Sequence, residues 1–408
     1  MTNTRNKKTN PISQGLLYLV LICVAQLHAQ TQPTVIDSLS GHKDKLVALM
    51  EYKRATHDHL EVLQIGDSHI QPGVMTEPLA YLLQNEFGDG GYGLAFPFQV
   101  AQTNGHGGYQ TFSNMPWTTA KVIQEKPNSP IGISGYTITN KSAESTITWE
   151  FDSLVGGNEV QWVKIFHASI MDSNFHYQLV NDRNENAQRI ASLSNAHSTV
   201  FYFAHPTFVF ELRHEQFYEK QKSSTIYGVY VANDQKGARV SSVGVNGATY
   251  KHYAQSLEFR SQLDQIQPDL IILSLGTNEA FQSNFDDTLF FDEVLNLVQM
   301  IQSLESHPVV ILSTPPAVSI RKSSGKKGYY APNPIVPRVR DVIIDVADRL
   351  EIPVYDLYAA MGGANSMKNW SQLGMTDKRQ IHFSPKGYKI LGESMAKAIK
   401  VHIPFAKQ

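Results

Sequence analysis

The chain has one cysteine in 408 residues, and that scarcity removes several chemistries at once. Cys23 lies inside an apolar N-terminal stretch. Beyond it no thiol remains to form a disulfide, attack a substrate or complete a cysteine-type zinc site. The 15 histidines are scattered, and none falls in a recognised metal-ligand spacing, so neither metal nor cofactor is expected. An excess of charge is also missing. The formal net charge of -2 gives no general electrostatic reason to expect nucleic acid or an anionic membrane as partner. Nor is there an apolar run of the roughly 20 residues that cross a bilayer, a solenoid-type repeat or a low-complexity tract.

What is present is an ordinary globular composition, 42% hydrophobic and 18% charged, long enough to hold two folding units. Residues 1–29 read as a secretory signal. Arg5, Lys7 and Lys8 form a basic start, Gly15 to Ala25 an apolar middle, and Leu27-His28-Ala29 a small-residue cleavage site. Ile22 before Cys23 is too large for a lipoprotein cleavage box. The expectation is a soluble, exported chain, periplasmic or secreted, with no membrane span after cleavage near Ala29.

From Glu61 the pattern is an apolar strand, Val62 to Ile65, a turn, and a helix with Leu79, Leu82, Leu83 and Phe87 on one face. The alternation resumes near Arg239. Strands are expected up to Val245, at Leu270 to Ser274, at Val309 to Leu312 and at Pro353 to Asp356, separated by amphipathic helices around Val294–Leu304 and Val339–Leu350. Buried strands alternating with such helices imply a parallel sheet covered on both faces. Residues between Phe96 and Gln235 instead show two-residue periodicity, as in Thr146 to Phe151, Val160 to Phe166, Thr199 to Ala204, Phe208 to Leu212 and Ser224 to Val231. The organisation expected is an α/β domain in two parts, 34–95 and 236–408, interrupted by an antiparallel β-sandwich at 96–235.

Four short segments carry chemistry. Ile65-Gly66-Asp67-Ser68-His69 places a serine at the carboxyl end of the first strand, on the rim where α/β enzymes bind ligands. Alone, Gly-Asp-Ser is a common turn triplet that also suits a helix cap. Gly244-Val245-Asn246-Gly247-Ala248 follows a strand, and Gly247 permits close backbone approach to a ligand. Leu273-Ser274-Leu275-Gly276-Thr277-Asn278-Glu279 offers Asn278, whose amide either donates to a developing oxyanion or caps the next helix. Ile381-His382-Phe383-Ser384-Pro385 sets a histidine before a helix start, where its near-neutral pKa suits proton transfer.

In this order the four segments resemble the blocks of the SGNH/GDSL hydrolases. The resemblance implies a flavodoxin-like three-layer fold, Ser68 as nucleophile, His382 as base, and Ser68, Gly247 and Asn278 as oxyanion donors. The phrase Leu63 to Gln71, the inserted β-domain, and Met361-Gly362-Gly363 with Trp370 look like bacterial peptidoglycan O-acetylesterases, whose insert is similar to a carbohydrate-binding module. That likeness implies an acetylated glycan as substrate. Asp67 and His69 are assigned to shaping the turn, and His69 and Glu279 are the candidate substrate contacts.

One position departs from the family pattern. The aspartate expected three residues before the histidine is Arg379 here, and the nearest carboxylate is Asp377. Asp377 ranks first as the group orienting His382, a backbone carbonyl second and Asp356 third. Two readings compete with the esterase. One is a glycan-binding protein with a weakened catalytic domain, whose Trp149 and Trp162 either stack on sugars or fill the sandwich core. The other is a lipase or thioesterase of the same superfamily.

Overall fold

A computed structural model describes residue 35 and residues 38–153, 159–170, 174–324 and 327–404. The expected signal at 1–29 lies outside the described residues. Among those described, no helix is long and apolar enough to cross a membrane.

Five strands form a parallel sheet: β1 (Leu60–Gly66), β2 (Ala238–Gly244), β3 (Leu270–Ser274), β4 (Val309–Ser313) and β5 (Val354–Tyr355), in the order β2-β1-β3-β4-β5. This is the flavodoxin-like doubly wound order, with its reversal of winding at β1 and β3. Alternation along each strand divides the core. Leu63, Ile65, Ile271 and Leu273 face one cluster, while Leu60, Val62, Leu270 and Ile272 face another.

Five principal helices cover the sheet: α1 (Asp44–Thr56), α2 (Glu77–Phe87), α3 (Asp287–Gln302), α4 (Val336–Leu350) and α5 (Pro385–Lys400). Leu46, Leu79, Leu83, Leu391 and Met395 from α1, α2 and α5 close the second cluster. Val294, Leu297, Val339 and Ile343 from α3 and α4 close part of the first. Near-continuous apolar strands are what a sheet buried on both faces demands.

Antiparallel strands occupy the stretch from Gly93 to Ala232. One sheet of seven strands centres on Ser224–Ala232 and Val160–His167, and a second of four on Thr146–Phe151 and Val209–Glu215. The fold class is therefore a parallel α/β domain with an inserted β domain, as expected. Trp149 is fully buried with its ring stacked on Phe210 at 5.1 Å, so it is core and not a sugar platform. Trp162 packs on Tyr202 at 4.6 Å. The sandwich core is continuous with that beneath β1, through Val245, Tyr250 and Tyr253. Elements the sequence reading did not anticipate include helix α1 and a hairpin pairing Ser319–Ser324 with Lys327–Pro332.

Candidate active site

Gly66 ends β1 under a tight constraint. A Cβ there would sit 2.3 Å from Ile70 Cγ1 and 2.6 Å from the Ser274 carbonyl of β3, so only glycine lets the chain turn this close to its neighbour. The chain then winds through a turn. Asp67 Oδ1 accepts the His69 N–H at 2.9 Å, and the Asp67 carbonyl accepts the N–H groups of Ile70 and Gln71. Helix α2 begins only at Glu77, so neither Asp67 nor Ser68 is a helix cap.

The loop ahead of α5 brings the histidine to this turn. Asp377 and His382 close a short loop through Asp377 N–H to His382 O at 2.8 Å, with Gln380 at φ 56°. The buried Trp370 steadies its base, donating to Met361 O at 3.1 Å and meeting Phe383 edge-on at 5.5 Å. Ser384 caps α5 by accepting the Gly387 N–H. The result is Ser68 Oγ at 2.8 Å from His382 Nε2.

His382 Nδ1 lies 3.6 Å from Asp377 Oδ2, an ion-pair separation longer than a direct hydrogen bond. The same oxygen lies 3.4 Å from Arg379 Nε, and Asp377 Oδ1 accepts the Ile381 N–H at 3.0 Å. Burial lowers the His382 pKa, Asp377 opposes that shift and Arg379 adds to it. For Asp377, burial pushes upward. The Ile381 N–H and the charge of His382 outweigh it, so the carboxyl stays below its ordinary value. Asp356 is engaged elsewhere, with Arg340 at 2.7 Å and the N–H of Ala359 at 3.1 Å, so the third-ranked orienter is corrected.

The strand ends of β2 and β3 complete the rim. Gly247 has φ 88°, and its N–H, like that of Ser68, makes no hydrogen bond among the described residues. Asn278 makes no side-chain cap. Its amide donates to the Ala248 carbonyl at 2.8 Å and reaches Asp67 Oδ2 at a long 3.3 Å. Asp67 is fully buried, which pushes its pKa up to about 7 against the opposing hydrogen bonds from His69 and Thr277.

Ser68, Gly247, Asn278 and His382 line one cavity of about 500 Å³, shared with Pro72, Asn104, Asn246, Thr277, Phe281, Ile381 and Tyr388. Glu279 and His69 do not reach it, and both are corrected as substrate contacts. Glu279 is wholly buried because the chain enters a 3-10 turn that sends its side chain inward. There it accepts the Tyr250 N–H at 2.9 Å, and burial lifts its pKa to about 8. His69 lies behind His382, ring centroids 5.3 Å apart, with Nδ1 3.0 Å from the Tyr388 hydroxyl. Burial lowers its pKa to about 3, so the ring is neutral.

Asn104, from the inserted region, is a pocket residue that motif reading missed. Buried Gln71 joins the two regions. Its amide donates to Asn104 O at 2.6 Å and Thr103 Oγ1 at 3.0 Å, while its oxygen accepts Tyr136 O–H at 2.8 Å and Asn246 N–H at 2.7 Å. The only sequence signal was Gln71's place at the end of the Ser68 phrase.

Among the described residues, no group of three or more acidic, histidine or cysteine side chains is placed to hold a metal. Residues 218–390 match the GDSL-like Lipase/Acylhydrolase family. That span contains Gly247, Asn278 and His382 but not Ser68. The chain is similar to a solved peptidoglycan O-acetylesterase, with 22% identity, 90% of this chain and 99% of that chain covered, and a TM-score of 0.73. Est24, a carbohydrate acetylesterase from Sinorhizobium meliloti, matches at 15% identity over 40% of this chain and 79% of its own, TM-score 0.30. A family two carbohydrate esterase from Cellvibrio japonicus matches at 11% over 72% and 98%, TM-score 0.30. Those two overlays are too loose to carry an argument. No curated protein matches the chain. The likeness to the GDSL-like family therefore rests on residues 218–390, and the likeness to the peptidoglycan O-acetylesterase is one of fold.

Proposed function

We propose that the chain is a serine esterase that removes O-acetyl or similarly short acyl groups from a glycan, such as peptidoglycan or an acetylated polysaccharide, outside the cytoplasm. The observation that carries this reading is the 2.8 Å contact between Ser68 Oγ and His382 Nε2 at the mouth of a cavity with two unengaged backbone N–H groups.

The chemistry runs in two balanced halves. Ser68 Oγ bonds to the ester carbonyl carbon as its proton passes to His382 Nε2, and the carbonyl π pair moves to oxygen. The N–H groups of Ser68 and Gly247 receive that oxyanion. The Asn278 amide joins them by giving up its long bond to Asp67. One such donor is typically worth about 3 kcal/mol of transition-state stabilisation. The sugar oxygen leaves with the proton from His382, giving an acyl-Ser68. Water then attacks the acyl carbon, His382 takes its proton and returns one to Ser68, and the acid departs. Asp377 holds the Nδ1–H side of the ring, which leaves the Nε2 lone pair toward Ser68.

The cavity wall supports the substrate class. Asn104, Asn246 and Thr277 suit a hydroxylated ring, and Phe281 and Ile381 shelter a short acyl group without forming a long apolar channel. The basic start and apolar middle of residues 1–29, read as a secretory signal, support action outside the cytoplasm.

Turnover of p-nitrophenyl acetate tests the reading. Ser68→Ala and His382→Ala each lose at least about 10⁴-fold in kcat, since a nucleophile and its base act as one unit. Full activity in either variant would sink the assignment. Acetate release from O-acetylated peptidoglycan against acetylated xylan then selects the glycan. A wild type inert on every ester, yet retained on glycan, supports the binding-protein reading instead.

A further inference from the structure

A second cleft lies behind the wall that closes the acyl cavity. The wall forms where two segments cross: Gln71 bonds to Asn104, and Gly73 lies beneath the His106 ring, which a Cβ at position 73 would approach at 3.1 Å. Pro72 and Asn104 face the acyl cavity, whereas Gly73 and His106 face a second cavity of about 530 Å³. Adjacent residues thus look into different cavities. The two spaces are one chain thickness apart.

The sequence of α2 explains the lining. Leu79 and Leu83 turn to the core, which leaves Glu77, Tyr81 and Asn85, four residues apart, as one stripe, with Thr76, Ala80 and Gln84 beside it. Both stripes face the cleft. Tyr81 is 73% exposed and makes no ring contact among the described residues. Across the gap, Tyr92 O–H lies 3.2 Å from His106 Nδ1, while His106 Nε2 is buried without a hydrogen-bond partner. Burial holds the His106 pKa near 4, so the ring is neutral and keeps one nitrogen without a partner. No hydrogen bond reaches the Glu77 carboxyl among the described residues.

This set discriminates among ligands. Glu77 and Asp89 repel anions, and amides, carboxylates and a phenol in the lining are ill suited to an acyl chain. The exposed Tyr81 ring together with donors and acceptors matches rings bearing hydroxyls on their edges and C–H groups on their faces. We propose that this cleft binds an uncharged, hydroxyl-rich stretch of the substrate's saccharide chain and holds it beside the acyl cavity. The word substrate rests on the esterase reading above, while the saccharide chemistry comes from the cleft itself.

The test uses Tyr81→Ala and Asn85→Ala, both at exposed rim positions, on O-acetylated xylo-oligosaccharides of increasing length and on p-nitrophenyl acetate. KM of the wild type falls with length, and each variant raises KM on the longest oligomer about five- to tenfold, the loss of one hydrogen bond or stacking contact. Turnover of p-nitrophenyl acetate stays within about twofold. Identical KM values for variants and wild type across all lengths overturn the proposal. Calorimetric titration with the deacetylated oligomer separates the two readings. If the wild type hydrolyses no ester but binds this oligomer, and Tyr81→Ala weakens that binding, the cleft stands and the esterase reading falls. Absent binding, or equal affinity in Tyr81→Ala, overturns the cleft.

Discussion

The Ser68 turn and the His382 loop meet at 2.8 Å but are built on opposite principles. The turn is buried except where Ser68 meets the cavity. Gly66 is wedged against β3, Asp67 is inaccessible, and Gln71 ties the segment to the inserted region. The loop is local and half-solvated, its Asp377 shared between His382 and an Arg379 that is 67% exposed. Packing therefore fixes where the hydroxyl sits. Partial burial, adjusted by two charges near solvent, sets how basic its partner is. Packing tolerates almost no change, whereas charges near water can be traded in small steps.

The contrast breaks most dramatically at Gly66. Gly66→Ala must push aside Ile70 and the Ser274 carbonyl, an overpacking cost of about 3 kcal/mol. A marked fall in Tm and loss of all esterase activity are expected by calorimetry and p-nitrophenyl acetate assay. An unchanged Tm would show that the turn is looser than its contacts imply. Asp377→Ala comes next, with kcat down about 10²-fold. That is short of the ~10⁴ lost with a directly bonded, buried acid, because Asp377 stands 3.6 Å off and is partly exposed. Activity requires neutral His382, so it rises with pH through the His382 pKa. Removing the group that raises this pKa moves the midpoint down.

A finer probe is Asp67→Asn. The folded protein keeps the Asp67 proton until about pH 7, whereas the unfolded chain releases it near 3.8. The folded state thus binds more protons across that window, and stability declines as pH rises through it. The variant should lose less stability than wild type between pH 4 and pH 8. Parallel Tm-versus-pH curves for the two proteins would contradict a buried carboxyl. The smallest effect belongs to Arg379→Ala. Deleting a cation that lowers the His382 pKa moves the activity midpoint up, with plateau kcat unchanged, and added salt shrinks the difference between variant and wild type.

Much of the fold was legible because strands of the parallel sheet are buried on both faces and those of the inserted region alternate between buried and exposed positions. The expected limits of Leu270–Ser274 and Thr146–Phe151 coincide with the strands formed. The hairpin at 319–332 was not, since Ser-Ile-Arg-Lys-Ser-Ser presents no apolar face for periodicity to register. At the site, the sequence placed Ser68, Gly247, Asn278 and His382 at strand ends and a loop, and one cavity gathers them. Glu279 misled because adjacency to Asn278 carries no information about which way a 3-10 turn sends the next side chain. Asn104 and Gln71 were invisible as pocket builders, since their pairing joins segments that only the folded chain brings together.

The pairing of β1 sets an order of events during synthesis. Leu60–Gly66 can find neither of its neighbours until Ala238–Gly244 and Leu270–Ser274 have been made, with the whole antiparallel region emerging in between. Contacts that span so much chain close slowly, and both edges of the Ser68 strand stay open meanwhile. A folding-rate measurement on a chain lacking residues 96–235 would ask whether the intervening region delays that closure or, through Gln71 and Asn104, steers it.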